Sequence, residues 1–398
     1  MTSLETAQLE AALDDRRPAA RADALRRLKA AADRGDVPVA PRSPFMNLHC
    51  HTFHSFNAYG WSPSRVAWTG YRNGFSMMGV VDFDVLDALE EFREANRVLG
   101  ARGIAGLESR VFVSHYARAE INSPNEPGVA YFVALGFRTR PAAGSPADAV
   151  LKKLAAVARG RNEAVVERLN GHLAPLRLDY DRDVLPLTIA GNATERHILT
   201  ACYEKSAALF PDDARRAAFW AEKLAAPADE IRASFADAWK LYERMRSKLI
   251  KWGGVAYVAP DPARFPSLDD LLALARDGGG LPSYPFLDGT SAAESDIESL
   301  LAHFRDRGVR VITVIPDRNH NLRDAAEKSR KVANLRRFMA ACRSLDLLVV
   351  AGTELNKAGQ KIVDDFAAPE LAPYLDDFVR GAEFVYAHAE GEPACTPT

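Results

Sequence analysis

Apolar residues in this chain come in short runs that end on polar, chemically capable side chains. Phe45, Met46 and Leu48 lead into His49-Cys50-His51-Thr52, after which the chain turns polar through Ser55, Asn57 and Ser62-Pro63. The run from Met77 to Val81 ends on Asp82-Phe83-Asp84, and Ile104-Ala105-Gly106-Leu107 ends on Glu108. Residues 129–137, 281–287, 309–315 and 347–354 are further runs of strand length. Runs with little alternation predict strands covered on both faces. Between them, residues 63–73, 86–99, 268–276, 297–307 and 330–345 read as helices, the first bounded by Ser62 and Gly74, the second closed by Gly100. Repeated strand–helix units predict parallel strands, either doubly wound or closed as a barrel. Residues 377–388 are expected to complete the closure.

Two regions break this rhythm. Residues 3–35 carry leucines at helical spacing interrupted by Pro18, which predicts two short helices on the outside, and a Pro/Arg-rich linker follows. Residues 145–252 read as a helical insertion, its clearest element a single helix over 227–251 with Ile231, Phe235, Ala238, Tyr242, Met245 and Leu249 on one stripe. The expected organisation is therefore an N-terminal extension over 1–44, a first barrel part over 45–144, the insertion over 145–252 and a second barrel part over 253–398, with 390–398 a frayed tail.

Lys plus Arg number 51 and Asp plus Glu 53, a formal net charge of −2. No bulk field favours a nucleic-acid polymer or an anionic membrane. The four cysteines, Cys50, Cys202, Cys342 and Cys395, are scattered without a CxxC, and neither an apolar run of membrane-spanning length nor a signal peptide is read in the chain. A cytoplasmic protein is expected, of unstated oligomeric state.

The chemistry sits at the strand ends. Side chains two apart on a strand share a face, so His49 and His51 emerge together, about 7 Å apart, and can chelate one ion. A bare HxH is also an ordinary pair of satisfied strand histidines, so carboxylates at other strand ends must decide. Asp82 and Asp84 share a face at their strand's mouth; either can accept a proton, cap the next helix or orient a ligating histidine. Arg318 and Lys357 each follow a strand and can fork onto phosphate or carboxylate, or simply be solvated. His54, His115, His320 and His388 are read as structural, and His172 and His303 as helix-surface residues.

The order of these pieces resembles the polymerase and histidinol phosphatase (PHP) superfamily, whose members are distorted (β/α)7 barrels with metal clusters at the strand C-termini. His49-Cys50-His51-Thr52 is similar to its first motif, Val81-Asp82-Phe83-Asp84 to its second and Gly106-Leu107-Glu108-Ser109 to its third. Gly278-Gly279-Gly280 with Tyr284-Pro285 stands where the family has a glycine turn, a strand and His-Pro, and Gly352-Thr353-Glu354-Leu355-Asn356 where it has Gly-Ser-Asp-x-His. Thr194-Glu195-Arg196-His197-Ile198 resembles part of the helical insert of the phosphoesterase branch, where a histidine helps grip the substrate phosphate. The resemblance spans roughly residues 46–357 and implies a PHP-type α/β barrel with a helical insertion.

It also implies His49, His51, Glu108 and Glu354 as ligands of one divalent transition metal, Zn, Mn or Fe. Positions serving further metals carry Asn57, Phe83, Tyr284 and Asn356, and an apolar or aromatic residue near 131–133, which suggests a cluster reduced to one ion. Asp82, Asp84 and His197 are the expected catalytic groups; Arg196, Arg318, Lys357, Asn57, Tyr284 and Asn356 are the expected substrate-binding ones. The implied function is a metal-dependent hydrolase, foremost a phosphoesterase on a small phosphorylated metabolite or nucleotide. The alternatives are a one-metal C–N hydrolase of amidohydrolase type and a non-catalytic binding protein that kept the barrel.

Overall fold

The computed structural model describes residues 2–392, so Cys395 and most of the expected tail lie outside it. Seven strands form one sheet in chain order: β1 (Met46–Cys50), β2 (Met77–Phe83), β3 (Gly103–Phe112), β4 (Val129–Leu135), β5 (Leu281–Phe286), β6 (Val311–Val314) and β7 (Leu348–Ala351). The sheet curls until its ends nearly meet. The residues after β7 return to β1 through a single parallel bridge, Cys50 to Glu354, in which the His51 amide donates to the Glu354 carbonyl (2.8 Å) and the Glu354 amide to the His49 carbonyl (2.7 Å). Helices cover the outside, and the chain is an α/β protein with a distorted, nearly closed barrel.

Four strand pairings match the expected parallel barrel, β1–β2, β2–β3, β5–β6 and β6–β7, and the bridge that joins the ends is parallel too. β4 runs the other way, antiparallel to both β3 and β5, so the sheet is mixed rather than all parallel. The reason is the short connection before it: between Phe112 and Val129 lies only a three-residue helical turn, Ser114–Tyr116, with no helix to carry a crossover.

A further expectation is corrected. Residues 377–388 add no strand; Leu375–Glu390 is one helix packed on β7, with Phe378, Ala382 and Val385 buried. The N-terminal helices, Ser3–Ala12 and Pro18–Asp33, lie against the outer helices Pro63–Arg72 and Leu89–Leu99, outside the strands as expected, with Leu13, Leu25 and Leu28 buried. Ser62, which caps the helix Pro63–Arg72, donates its hydroxyl to the Leu13 carbonyl (2.6 Å), and Trp68 donates to Glu10 (2.8 Å).

The chain forms two compact units, one of residues up to Leu154 with those from Phe265 onward, the other Ala155–Arg264. The second has its own core, with Trp220, Ile231, Leu241 and Met245 fully buried. Its expected long helix over 227–251 is broken into Ala228–Ser234, Ala238–Met245 and a wider turn over Arg246–Ile250. Asp237 adopts a non-helical backbone (φ −140°, ψ 85°), while the apolar stripe still faces inward on both pieces. No helix among the described residues is long and apolar enough to cross a membrane.

Candidate metal centre

The barrel brings His49, His51 and Glu108 together: one ligand atom from each lies within 4.8 Å of the others. β1 presents the two imidazoles on one side, and Glu108 lies on β3, paired in register with Phe83 of β2. Glu108 Oε2 is 3.3 Å from His49 Nε2 and 3.2 Å from His51 Nε2, and all three side chains are buried. Burial alone would raise the Glu108 carboxyl, but the two imidazoles hold it down at about 2. Burial opposes charge on His51, yet Glu108, and then Asp82 and Glu354, raise its pKa above the usual histidine value.

The tautomer of His51 can be derived. Ser55 donates its one hydroxyl proton to Asp82 Oδ1 (2.6 Å), so at 3.2 Å from His51 Nδ1 the Ser55 oxygen is an acceptor. Nδ1 therefore carries the proton, and Nε2 faces Glu108 without a partner in hydrogen-bond geometry. A lone pair pointed at a buried carboxylate is unfavourable; either a second proton or a cation must lie there. Two imidazole nitrogens and one carboxylate suit a divalent transition ion, so the donor set fits such a group.

Glu354 stands outside this group of three. It lies at the seam beside β1, but its Oε1 accepts from Arg318 (2.7 Å) and its Oε2 from Gln360 (3.0 Å). Burial would raise its carboxyl; the Arg318 guanidinium outweighs that and lowers it. Its backbone has a positive φ of 72°, as does Leu355 (55°), and Asp84 at the mouth of β2 has φ 61°. Such conformations are costly for residues with a side chain and concentrate where a fold must aim functional groups.

Asp82 is 1% exposed and accepts from Thr52 N (2.7 Å), Thr52 Oγ1 (2.6 Å), Ser55 N (3.2 Å) and Ser55 Oγ. With its lone pairs so occupied it acts on His51 through Ser55, which leaves the half-buried Asp84, an acceptor from Ser109 (2.5 Å), as the carboxylate nearer the mouth. Phe83 stacks on the His51 ring at 4.3 Å, and Tyr131 stands 6.4 Å beyond it. Asn57 organises the loop after β1, donating to the His51 carbonyl (2.8 Å) and accepting from Tyr59 N (2.8 Å).

The remaining expected residues are placed elsewhere or more loosely. Tyr284 is fully buried in the core and gives its hydroxyl to Glu294 (2.6 Å). Asn356 is half-buried and Lys357 exposed on the loop after β7. Arg196 and His197 belong to the second unit, where Arg196 pairs with Glu243 and crosses Trp239 at 5.4 Å. His197 Nδ1 accepts from Thr194 N (3.1 Å), and burial lowers its pKa to about 4.

Sequence reasoning missed Asn47, Ser55 and Gln360. Asn47 ties β1 to the far end of the chain, donating to Thr353 Oγ1 (2.6 Å) and the Ile362 carbonyl (2.7 Å) and accepting from Thr353 N (3.2 Å). The signal was present: Asn47 is a polar residue in an apolar strand, in phase with His49 and His51.

Among solved structures, the chain is similar to a candidate metal-dependent phosphoesterase from Bifidobacterium adolescentis at 18% identity and a TM-score of 0.52, over 84% of this chain and 97% of that one. It is also similar to an amidohydrolase from Chromobacterium violaceum, solved with sulfate and without metal, at 17% identity and a TM-score of 0.54, over 84% and 96% of the two chains. At these identities the likeness is one of fold. No family model matches the sequence, and no curated protein does.

Proposed function

We propose that this protein is a metal-dependent hydrolase of the PHP type, a phosphoesterase acting on a small phosphorylated metabolite or nucleotide in the cytoplasm. The observation that carries the proposal is the convergence of His49, His51 and Glu108 at a strand end, with the His51 tautomer set by Ser55 and Asp82 so that Nε2 faces the shared carboxylate. Those three side chains would hold a divalent ion, which would supply Lewis acidity and an activated water.

The chain's own residues do the rest. His49, His51 and Glu108 would hold the ion, and Asp84 at the mouth would accept the proton. Arg318 brings a guanidinium beside Glu354, where a phosphoryl oxygen can compete for it. Phe83 and Tyr131 form an aromatic wall that narrows the site to one ion. Arg196, His197 and Lys357 are proposed phosphate-gripping residues on the resemblance alone, and the nearly balanced charge agrees with a small substrate rather than a polymer. The sulfate bound by the Chromobacterium violaceum protein supports an oxyanion ligand for this fold.

A panel of phosphomonoesters and phosphodiesters, assayed with metal-loaded protein, tests the proposal. Turnover is expected with at least one class and is expected to fall at least about 100-fold in His49→Ala and Glu108→Gln. Equal rates in wild type and His49→Ala overturn it. A single-ion site offers one fewer clamp on phosphate oxygens, which favours C–N hydrolysis as the second reading; turnover of amides or cyclic ureides instead of phosphoesters would establish that one.

A further inference from the structure

Asp317, His320 and Asp364 form a second convergence of ligating side chains in the barrel unit, sharing no residue with the first. One donor atom from each lies within 4.8 Å of the others, and His320 Nε2 is 3.7 Å from Asp317 Oδ1. Asp317 and His320 are three apart on the short helix Asp317–His320, which puts both on one face. Asp364 comes from the loop after β7.

Two features of this cluster call for a ligand. Asp364 is 1% exposed, and neither of its carboxylate oxygens meets a donor in full hydrogen-bond geometry, the Asp317 amide being a neighbouring donor. His320 is 6% exposed, and its Nε2 lacks a hydrogen-bond partner. A buried carboxylate and a buried imidazole nitrogen, neither fully hydrogen-bonded and both aimed at one spot, are rare without an ion, because each forfeits several kcal/mol of hydration, roughly. Asp317 remains partly open to solvent and gives an ion a path in. It pairs with Lys361 (3.2 Å) and accepts a hydrogen bond from the neutral Asn321 amide (3.2 Å).

We propose that Asp317, His320 and Asp364 bind a second divalent transition-metal ion, of the Zn2+ or Mn2+ class, that pins the loop after β7 to the helix Asp317–His320. One nitrogen and two carboxylates, with water completing the shell, match the preferences of these ions, whose tetrahedral or octahedral donors stand about 3 to 4.2 Å apart at bond lengths near 2.1 Å. The consequence reaches the first centre. Arg318 sits on that helix and Gln360 on that loop, and between them they hold both oxygens of Glu354. Occupancy here fixes the two residues that keep Glu354 off the His49–His51–Glu108 group, so the ion is structural and positions Glu354 rather than touching substrate.

The test is metal stoichiometry in four proteins: wild type, Glu108→Gln, Asp364→Asn and the double variant, each stripped with chelator, reloaded with Zn2+ or Mn2+ and desalted. Glu108→Gln is expected to keep about one equivalent that the double variant loses. The same ion is expected to raise the Tm of Glu108→Gln by several degrees and leave the double variant unmoved. It is also expected to slow hydrogen exchange over residues 356–366 in Glu108→Gln. Equal metal content in Glu108→Gln and the double variant, or no Tm response in Glu108→Gln, overturns the proposal. Because every comparison is made with the first centre disabled, failure of the phosphoesterase reading leaves the result intact. Should Asp364→Asn not fold, His320→Gln takes its place in the same comparison.

Discussion

Ser55 shows how much one hydroxyl decides. It accepts from His51 Nδ1 and donates to Asp82, so the orientation of the imidazole depends on a residue that carries no charge and touches no ion. Ser55→Ala leaves Nδ1 buried without an acceptor and is expected to weaken metal affinity about 10- to 100-fold, read by competition against a chromophoric chelator. The histidines and Glu108 were legible because their spacing and strand-end position are chemical signals in themselves. Ser55 was not, since a serine four residues past an HxH looks like any loop serine until the fold returns Asp82 to it. Glu354 was legible as a site residue, but its partners were not: Arg318 and Gln360 approach from 36 positions before and 6 after, and only the barrel brings all three together.

At the scale of elements, the seam between β1 and the end of β7 is the sensitive place. A Cβ added to Gly352 would lie 2.3 Å from the His49 Cβ and 2.5 Å from the His49 amide nitrogen, both on a buried strand that cannot give way. Gly352→Ala is therefore expected to cost about 1–3 kcal/mol in chemical denaturation and to lower metal occupancy as well, because the strain falls on a ligand. In the second unit, the helix Glu195–Leu209 begins on a largely buried carboxylate ringed by Arg161, Arg246 (3.1 Å) and Lys251 (3.1 Å). Burial would raise the Glu195 carboxyl, but Lys251 and the two arginines bring it well below the usual range.

Glu195→Gln leaves three cations without their counter-charge and is expected to destabilise that unit by roughly 3–5 kcal/mol in urea titrations. A depressed folded pKa means the stabilisation is complete above the unfolded carboxylate range and is lost as pH falls through the folded value. The gap between wild type and Glu195→Gln should therefore narrow only in strongly acidic buffer. The breaks around this helix were hidden from the sequence. An apolar stripe keeps its period across a kink, so the pattern over 227–251 could not reveal that Asp237 leaves the helix. The helical state of 377–388 was hidden for a related reason: short apolar clusters such as Val385-Tyr386-Ala387 fit a strand or a helix equally well, and packing against β7 decides.

For the whole molecule, removal of metal is the simplest perturbation. If the proposed ions bind only the folded state, saturation at 100 times the dissociation constant adds about 2.7 kcal/mol per site. EDTA is expected to lower the Tm of wild type by several degrees and to leave unchanged a variant lacking both Glu108 and Asp364, as differential scanning calorimetry would record. The α/β barrel was legible because its strands are covered on both faces and therefore nearly unbroken in hydrophobicity. The direction of β4 was not stated by any residue in it. It was written in the connection: sixteen residues between Phe112 and Val129 hold no helix long enough for a crossover.

The single-bridge seam has a consequence for the order in which the chain becomes competent. Asn47 and Thr353 are 306 positions apart, and the amide that stitches them has no other far partner than the Ile362 carbonyl, still further along. At synthesis rates of about 5–20 residues per second, the nascent β1 waits roughly 15 to 60 s for the strand end that completes it. During that interval β1 lacks its neighbour on that side, so the seam can close only once nearly the full chain has left the ribosome.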